Sequence, residues 1–221
     1  TRNSETDVFG TTNLTKDRLR VIRAGGAYDF VDQFGGADLI DAQVSQGLDI
    51  FGATDTGTDR TRTDGTADFT KFNLDITRTQ PLPHGFSIFT AATSQYSFDK
   101  LLAAEQFTVG GPFFGSAYDP SEITGDHGVA GRVELRYGKM LNDPMINAFQ
   151  LYGFYDIGRV WLEDTVDGDQ SLASAGLGLR TNFNEHLSAN FEVADPLTRP
   201  ANNQGGHAKS PRVFFSVTGR F

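Results

Sequence analysis

The sequence predicts an all-β protein, an antiparallel transmembrane β-barrel with about nine strands in these 221 residues. Three observations predict it. Apolar and polar residues alternate with period two from end to end, and amphipathic helical spacing does not recur. No apolar run reaches the roughly 18 residues of a transmembrane helix, whereas barrel strands cross with about 10 alternating residues. The connections between strands are short and long by turns, like the tight periplasmic turns and long extracellular loops of outer-membrane barrels. A soluble sandwich or jelly roll has no reason to keep its long loops at one end.

Residues 17–30 read as a first, irregular strand. In the next, Ile40, Ala42, Val44, Leu48 and Ile50 oppose Asp41, Gln43, Ser45, Gly47 and Asp49. Phe72, Leu74 and Ile76 then alternate with Lys71, Asn73, Asp75 and Thr77, and residues 86–98 form a fourth, less regular strand. The fifth places Val133, Leu135 and Tyr137 on one face and Arg132, Glu134 and Arg136 on the other. The sixth sets Phe149, Leu151, Gly153, Tyr155 and Ile157 against Gln150, Tyr152, Phe154, Asp156 and Gly158. In the seventh, Ala173, Ala175, Leu177, Leu179 and Phe183 oppose Ser174, Gly176, Gly178, Arg180 and Asn182. The eighth runs Leu187–Val193, and the ninth alternates from Arg212 to Phe221. Short connections at 31–36, 80–85, 141–147 and 184–186 interleave with long ones at 51–66, 99–127, 162–171 and 195–210.

Closed bacterial barrels have even strand numbers. Nine strands after a polar start over Thr1–Lys16 predict that further N-terminal strands belong to the barrel, unless an irregular tenth lies near Asp7–Leu14. The chain opens on Thr1 without a secretory signal, as a processed product or part of a longer protein would. Residues 1–221 read as a single barrel domain or part of one.

A net charge of −9 argues against nucleic acid, whose phosphates need a basic footprint. There is no Cys for disulfides or thiolate metal sites. The four His are scattered without a His-Glu-x-x-His pair, and Asp55, Asp59, Asp64 and Asp68 do not fit a calcium-ligand ladder. Asp164, Asp167 and Asp169 read as turn residues. No Gly-x-Ser-x-Gly elbow and no phosphate loop are present, so the sequence predicts neither an enzyme nor a cofactor.

The most informative stretch is Glu105–Tyr137, a long connection leading into the two-faced fifth strand. Loops of that length inside a compact β domain are usually functional. Gly110-Gly111, the spacer Pro112-Phe113-Phe114-Gly115 and then Ser116-Ala117-Tyr118-Asp119 are followed by Gly125-Asp126-His127-Gly128 and the strand Gly131–Tyr137. Phe154, Asp156 and Gly158 stand as Phe-x-Asp-x-Gly on the next strand, and Phe221 is a terminal Phe. In these motifs and their order the chain resembles the C-terminal barrel part of two-partner secretion outer-membrane transporters, the haemolysin/adhesin secretion-activation protein family.

The resemblance implies that the loop 99–127 folds back into the barrel lumen. Its tip, Gly110, Gly111, Gly115, Ser116, Ala117, Tyr118 and Asp119, would then face Phe154, Asp156 and Gly158, with Arg132, Glu134, Arg136 and Arg180 as lumen charges. It implies secretion, and activation, of an unfolded haemolysin- or adhesin-type partner across the outer membrane of a Gram-negative bacterium. Membrane lipid and the barrel-assembly machinery, which would read Phe221, are the other implied partners. The family places Arg where this chain has Ser116, and that Arg is expected to pair with the Asp156 position. An unpaired buried carboxylate is strongly destabilising, so Arg132, Arg136 or Arg180 is expected to replace it, or the loop is held less firmly. Two other readings stay open: a small passive outer-membrane pore or barrel-assembly-type insertion protein, and a soluble secreted β-sandwich binding module.

Overall fold

A computed structural model describes residues 2–8, 12–54, 60–141, 143, 145–163, 169–183, 186–199 and 210–220, with backbone alone for 2–8 and 12–14. Thirteen strands are present among them: β1 (Arg2–Val8), β2 (Thr12–Leu19), β3 (Val21–Val31), β4 (Ala37–Gly47), β5 (Thr70–Pro81), β6 (Phe86–Ser97), β7 (Phe107–Val109), β8 (Ile123–Gly125), β9 (His127–Met140), β10 (Ala148–Trp161), β11 (Gln170–Asn182), β12 (Leu187–Pro196) and β13 (Arg212–Gly219). Nine form one antiparallel sheet in the order β13-β12-β11-β10-β9-β6-β5-β4-β3, the up-and-down meander expected from the alternation. β7 and β8 pair as a small separate sheet between β6 and β9.

Two details differ from the sequence expectation. The irregular first strand breaks at Arg20, so β2 ends before β3 begins. β2 turns back to pair with β1 in a separate two-stranded hairpin, with a register shift between Thr6 and Asp7. The polar start therefore holds strands, yet neither is a tenth member of the large sheet. The long loop also contains the β7–β8 hairpin, whose three-residue strands are too short to show a period.

Turn chemistry sets the short ends. In the β3–β4 turn the Asp32 carboxylate accepts the N–H groups of Phe34 and Gly36 at 2.8 and 2.9 Å, and Gly35 takes φ +75°. The Arg78 guanidinium, 2.5 Å away, together with those N–H groups holds the Asp32 carboxyl below its ordinary range.

The two sheet faces are chemically opposite. Val133, Leu135, Leu151, Ile157, Leu177 and Phe191 all project outward and are exposed, Leu177 by 70%. In water such a contiguous apolar band would be a liability; against hydrocarbon it is the normal outer surface of a barrel. The inner face carries the buried residues, Arg132, Glu134, Tyr152, Phe154, Asp156 and Ser174 among them. Strand register aligns them: Asp156 pairs with Arg132 on one side and Ser174 on the other. Neighbouring glycines open room for rings. A Cβ on Gly176 would lie 2.6 Å from the Phe154 ring, and one on Gly178 would lie 2.1 Å from Tyr152.

Candidate functional site

The 98–126 segment lies against this inner face. Its tip is a tight turn closed by Gly110 N–H to the Phe114 carbonyl at 2.9 Å and Tyr118 N–H to the Gly115 carbonyl at 2.8 Å. Gly110, Gly111 and Gly115 take φ of +123°, +96° and +86°, a region that L side chains avoid. At Gly110 there is also no space, since a Cβ would meet the Asp119 carbonyl oxygen at 2.1 Å. The glycines thus fold the chain sharply enough to present the following four residues to the wall.

Ser116, Ala117 and Tyr118 are buried there. The Ser116 N–H donates to Asp156 Oδ2 at 3.3 Å, and Ser174 Oγ–H donates to the other carboxylate oxygen. Arg132 Nη1 donates both to Ser116 Oγ at 2.6 Å and to Asp156 Oδ2 at 3.1 Å. Of the three arginines expected as candidates, Arg132 is the one that meets Asp156. The cation expected from the loop comes from the wall, and Ser116 leaves the space for it. Arg132 also bonds Glu134 at 2.7 Å and Glu192 at 3.2 Å, and stacks 3.9 Å from the Phe154 ring centroid. One planar fork thereby satisfies three carboxylates and one hydroxyl, which a lysine could not do.

Arg136 and Arg180 converge instead on Glu134, at 2.6 and 3.1 Å. Arg180 lies 3.8 Å over Tyr152, whose hydroxyl donates to Glu192 at 2.7 Å. Arg132, Arg136 and Arg180 face Glu134, Asp156 and Glu192, so the charges of this layer balance. That balance is what makes such a layer tolerable, because an isolated buried charge is far costlier than a paired one.

The rest of the tip is fixed by apolar packing and further polar ties. Phe107, Val109, Ala117, Tyr118 and Ile123 form one core cluster with Tyr152, Phe154, Val160 and Leu172 of the wall. Gly158 lets the hairpin approach: a Cβ there would be 2.6 Å from Val109. The Tyr118 hydroxyl donates to the Arg199 carbonyl at 3.0 Å, and Asp119 pairs with Arg212 at 2.7 Å. At the entry root, Glu105 pairs with Arg23 at 2.6 Å and Lys71 at 2.9 Å. At the exit root, Asp126 pairs with Arg62 and accepts the N–H groups of Leu101 and Glu163 at 2.9 and 3.0 Å.

The structure therefore brings together the tip Gly110–Asp119, the trio Phe154, Asp156 and Gly158, and the charges Arg132, Glu134, Arg136 and Arg180. Phe221 lies outside the described residues, as do Asp55, Asp59, Asp164 and Asp167. Sequence reasoning missed Ser174, Glu192, Arg212 and the pair Glu105–Lys71. Only the inward alternation of their strands hinted at the first three.

Residues 3–181 match the haemolysin secretion/activation protein family ShlB/FhaC/HecB. The chain belongs to that family. Its members are outer-membrane transporters of two-partner secretion in Gram-negative bacteria, which places this ShlB/FhaC/HecB-family chain in an outer membrane. The fold is also similar to that of CdiB from Escherichia coli, with a TM-score of 0.77 and 22% identity. That similarity covers 95% of this chain and 38% of CdiB, so the chain spans well under half of CdiB's length. No curated protein matches the chain.

Proposed function

We propose that this chain forms part of the translocation barrel of a transporter that secretes, and activates, an unfolded haemolysin- or adhesin-type partner. The supporting observation is the loop tip held on the Arg132–Asp156 cluster, in a chain of the ShlB/FhaC/HecB family. In this reading the 99–127 loop occupies the lumen and narrows it, Ser116–Asp119 is its docking point, and Phe154, Asp156 and Gly158 are the wall's matching surface. Arg132, Glu134, Arg136 and Arg180 act as structural charges rather than as catalytic groups. The barrel stands in lipid, and the barrel-assembly machinery inserts it by reading Phe221.

Deleting the gene and comparing secreted proteins tests the reading. One large haemolysin- or adhesin-type protein should disappear from the medium and return with a plasmid copy. An unchanged set of secreted proteins overturns it.

A further inference from the structure

We propose that Phe113 is a contact point for apolar side chains of the extended polypeptide in transit. The inference rests on the secretion reading above. Phe113 is 79% exposed, next to the exposed Pro112, in a loop segment whose following residues are committed to the wall. Phe114 packs on the core cluster, and Ser116, Ala117 and Tyr118 are buried. The turn that carries Phe113 is closed by the Gly110–Phe114 hydrogen bond and flanked by three left-handed glycines, so the ring stands on a fixed spur.

The spur borders an inner-face cavity of about 630 Å³, whose other walls include Phe89, Tyr152, Phe214, Arg136 and Arg180. Those two guanidiniums are already bound to Glu134 and stacked on Phe89 and Tyr152. They hold the wall and are not free to capture a ligand. Asp75 lends the cavity an exposed carboxylate, but beside Phe113 it offers a visitor an uncovered aromatic ring, a surface for apolar side chains. Of the two adjacent rings, Phe114 packs on the core cluster and Phe113 faces the cavity. A single apolar contact also suits a conduit, where binding must be weak enough to be left behind.

The experiment uses the native-length protein in planar bilayers and two probes: a 30-residue Gly-Ser peptide, and the same peptide with four Ser replaced by Phe. The Phe peptide should block the pore with dwell times about tenfold longer, equivalent to about 1.4 kcal/mol at 25 °C. Phe113→Ser should abolish the difference and Phe113→Trp should keep it. Benzoylphenylalanine at position 113 should crosslink to the Phe peptide. Equal dwell times in the native protein, no block by either peptide, a difference that survives Phe113→Ser, or crosslinks only within the protein's own chain each overturn the proposal. These failures are separable from failure of the secretion reading, which the gene deletion decides without reference to Phe113.

Discussion

Replacing Arg132 by Met removes the guanidinium while keeping most of the side chain's volume. The structure allows its cost to be apportioned. Glu134 keeps Arg136 and Arg180, and Glu192 keeps the Tyr152 hydroxyl. Asp156 keeps the Ser174 hydroxyl and the Ser116 N–H but loses the guanidinium that pairs with it, at a site with no solvent exposure. Breaking one side of a buried pair costs about 3–5 kcal/mol. The donors that remain to Asp156 argue for the lower end, about 3 kcal/mol, or roughly a hundredfold rise in the population with the loop undocked. Hydrogen exchange of the Ser116 and Tyr118 amides in detergent micelles reads that population directly. Adding Asp156→Asn to Arg132→Met removes the stranded charge and should recover about half or more of the lost protection, a coupling that a double-mutant cycle isolates. Exchange within twofold of the native rate in Arg132→Met, or no recovery in the double variant, would refute the account of Arg132 as the loop's anchor.

Ser116→Arg alone should loosen the loop, because the new guanidinium enters a closed space 2.6 Å from the Arg132 fork; adding Arg132→Ser should restore protease resistance. Gly158→Ala should lift the β7–β8 hairpin, since its methyl would sit 2.6 Å from Val109, with an overpacking cost of about 1–3 kcal/mol and faster cleavage near Phe107. Burial pushes the Glu105 carboxyl up, but the Lys71 and Arg23 cations outweigh it and hold it below its ordinary 4.5. A lowered folded-state value means that this tie is fully present above 4.5 and is lost as pH falls below it, so proteolysis at the loop's entry root should rise only in that acid range. Glu105→Gln should remove that acid-dependent increment; an unchanged pH profile would count against the tie.

The strands and their turns were legible because a period of two is a local property. Val133, Leu135 and Tyr137 interleave with Arg132, Glu134 and Arg136, so neighbouring residues alone assign each side chain to its face. The anchor was legible only as a choice of three arginines. Choosing Arg132 needs the register, which sets Asp156 beside Arg132 and Ser174 while Arg180 falls opposite Gln150. Glu192 and Arg212 join the site from strands far along the chain, and no spacing in the sequence announces that. The β7–β8 hairpin was hidden for another reason: Phe107–Val109 and Ile123–Gly125 owe their pairing to the wall beneath them rather than to their own pattern.

The loop's partners also divide by position along the chain. Its entry root is held by Arg23 and Lys71, upstream of it, whereas its tip is held by Arg132, Asp156, Ser174, the Arg199 carbonyl and Arg212, all downstream. The Asp119–Arg212 tie spans 93 positions. Contacts of such separation form after the local ones, because the intervening chain must first be ordered. The tip can be fully seated only once β10, β11 and β13 stand in register, so a docked loop is a molecular record that the wall beside it has been completed.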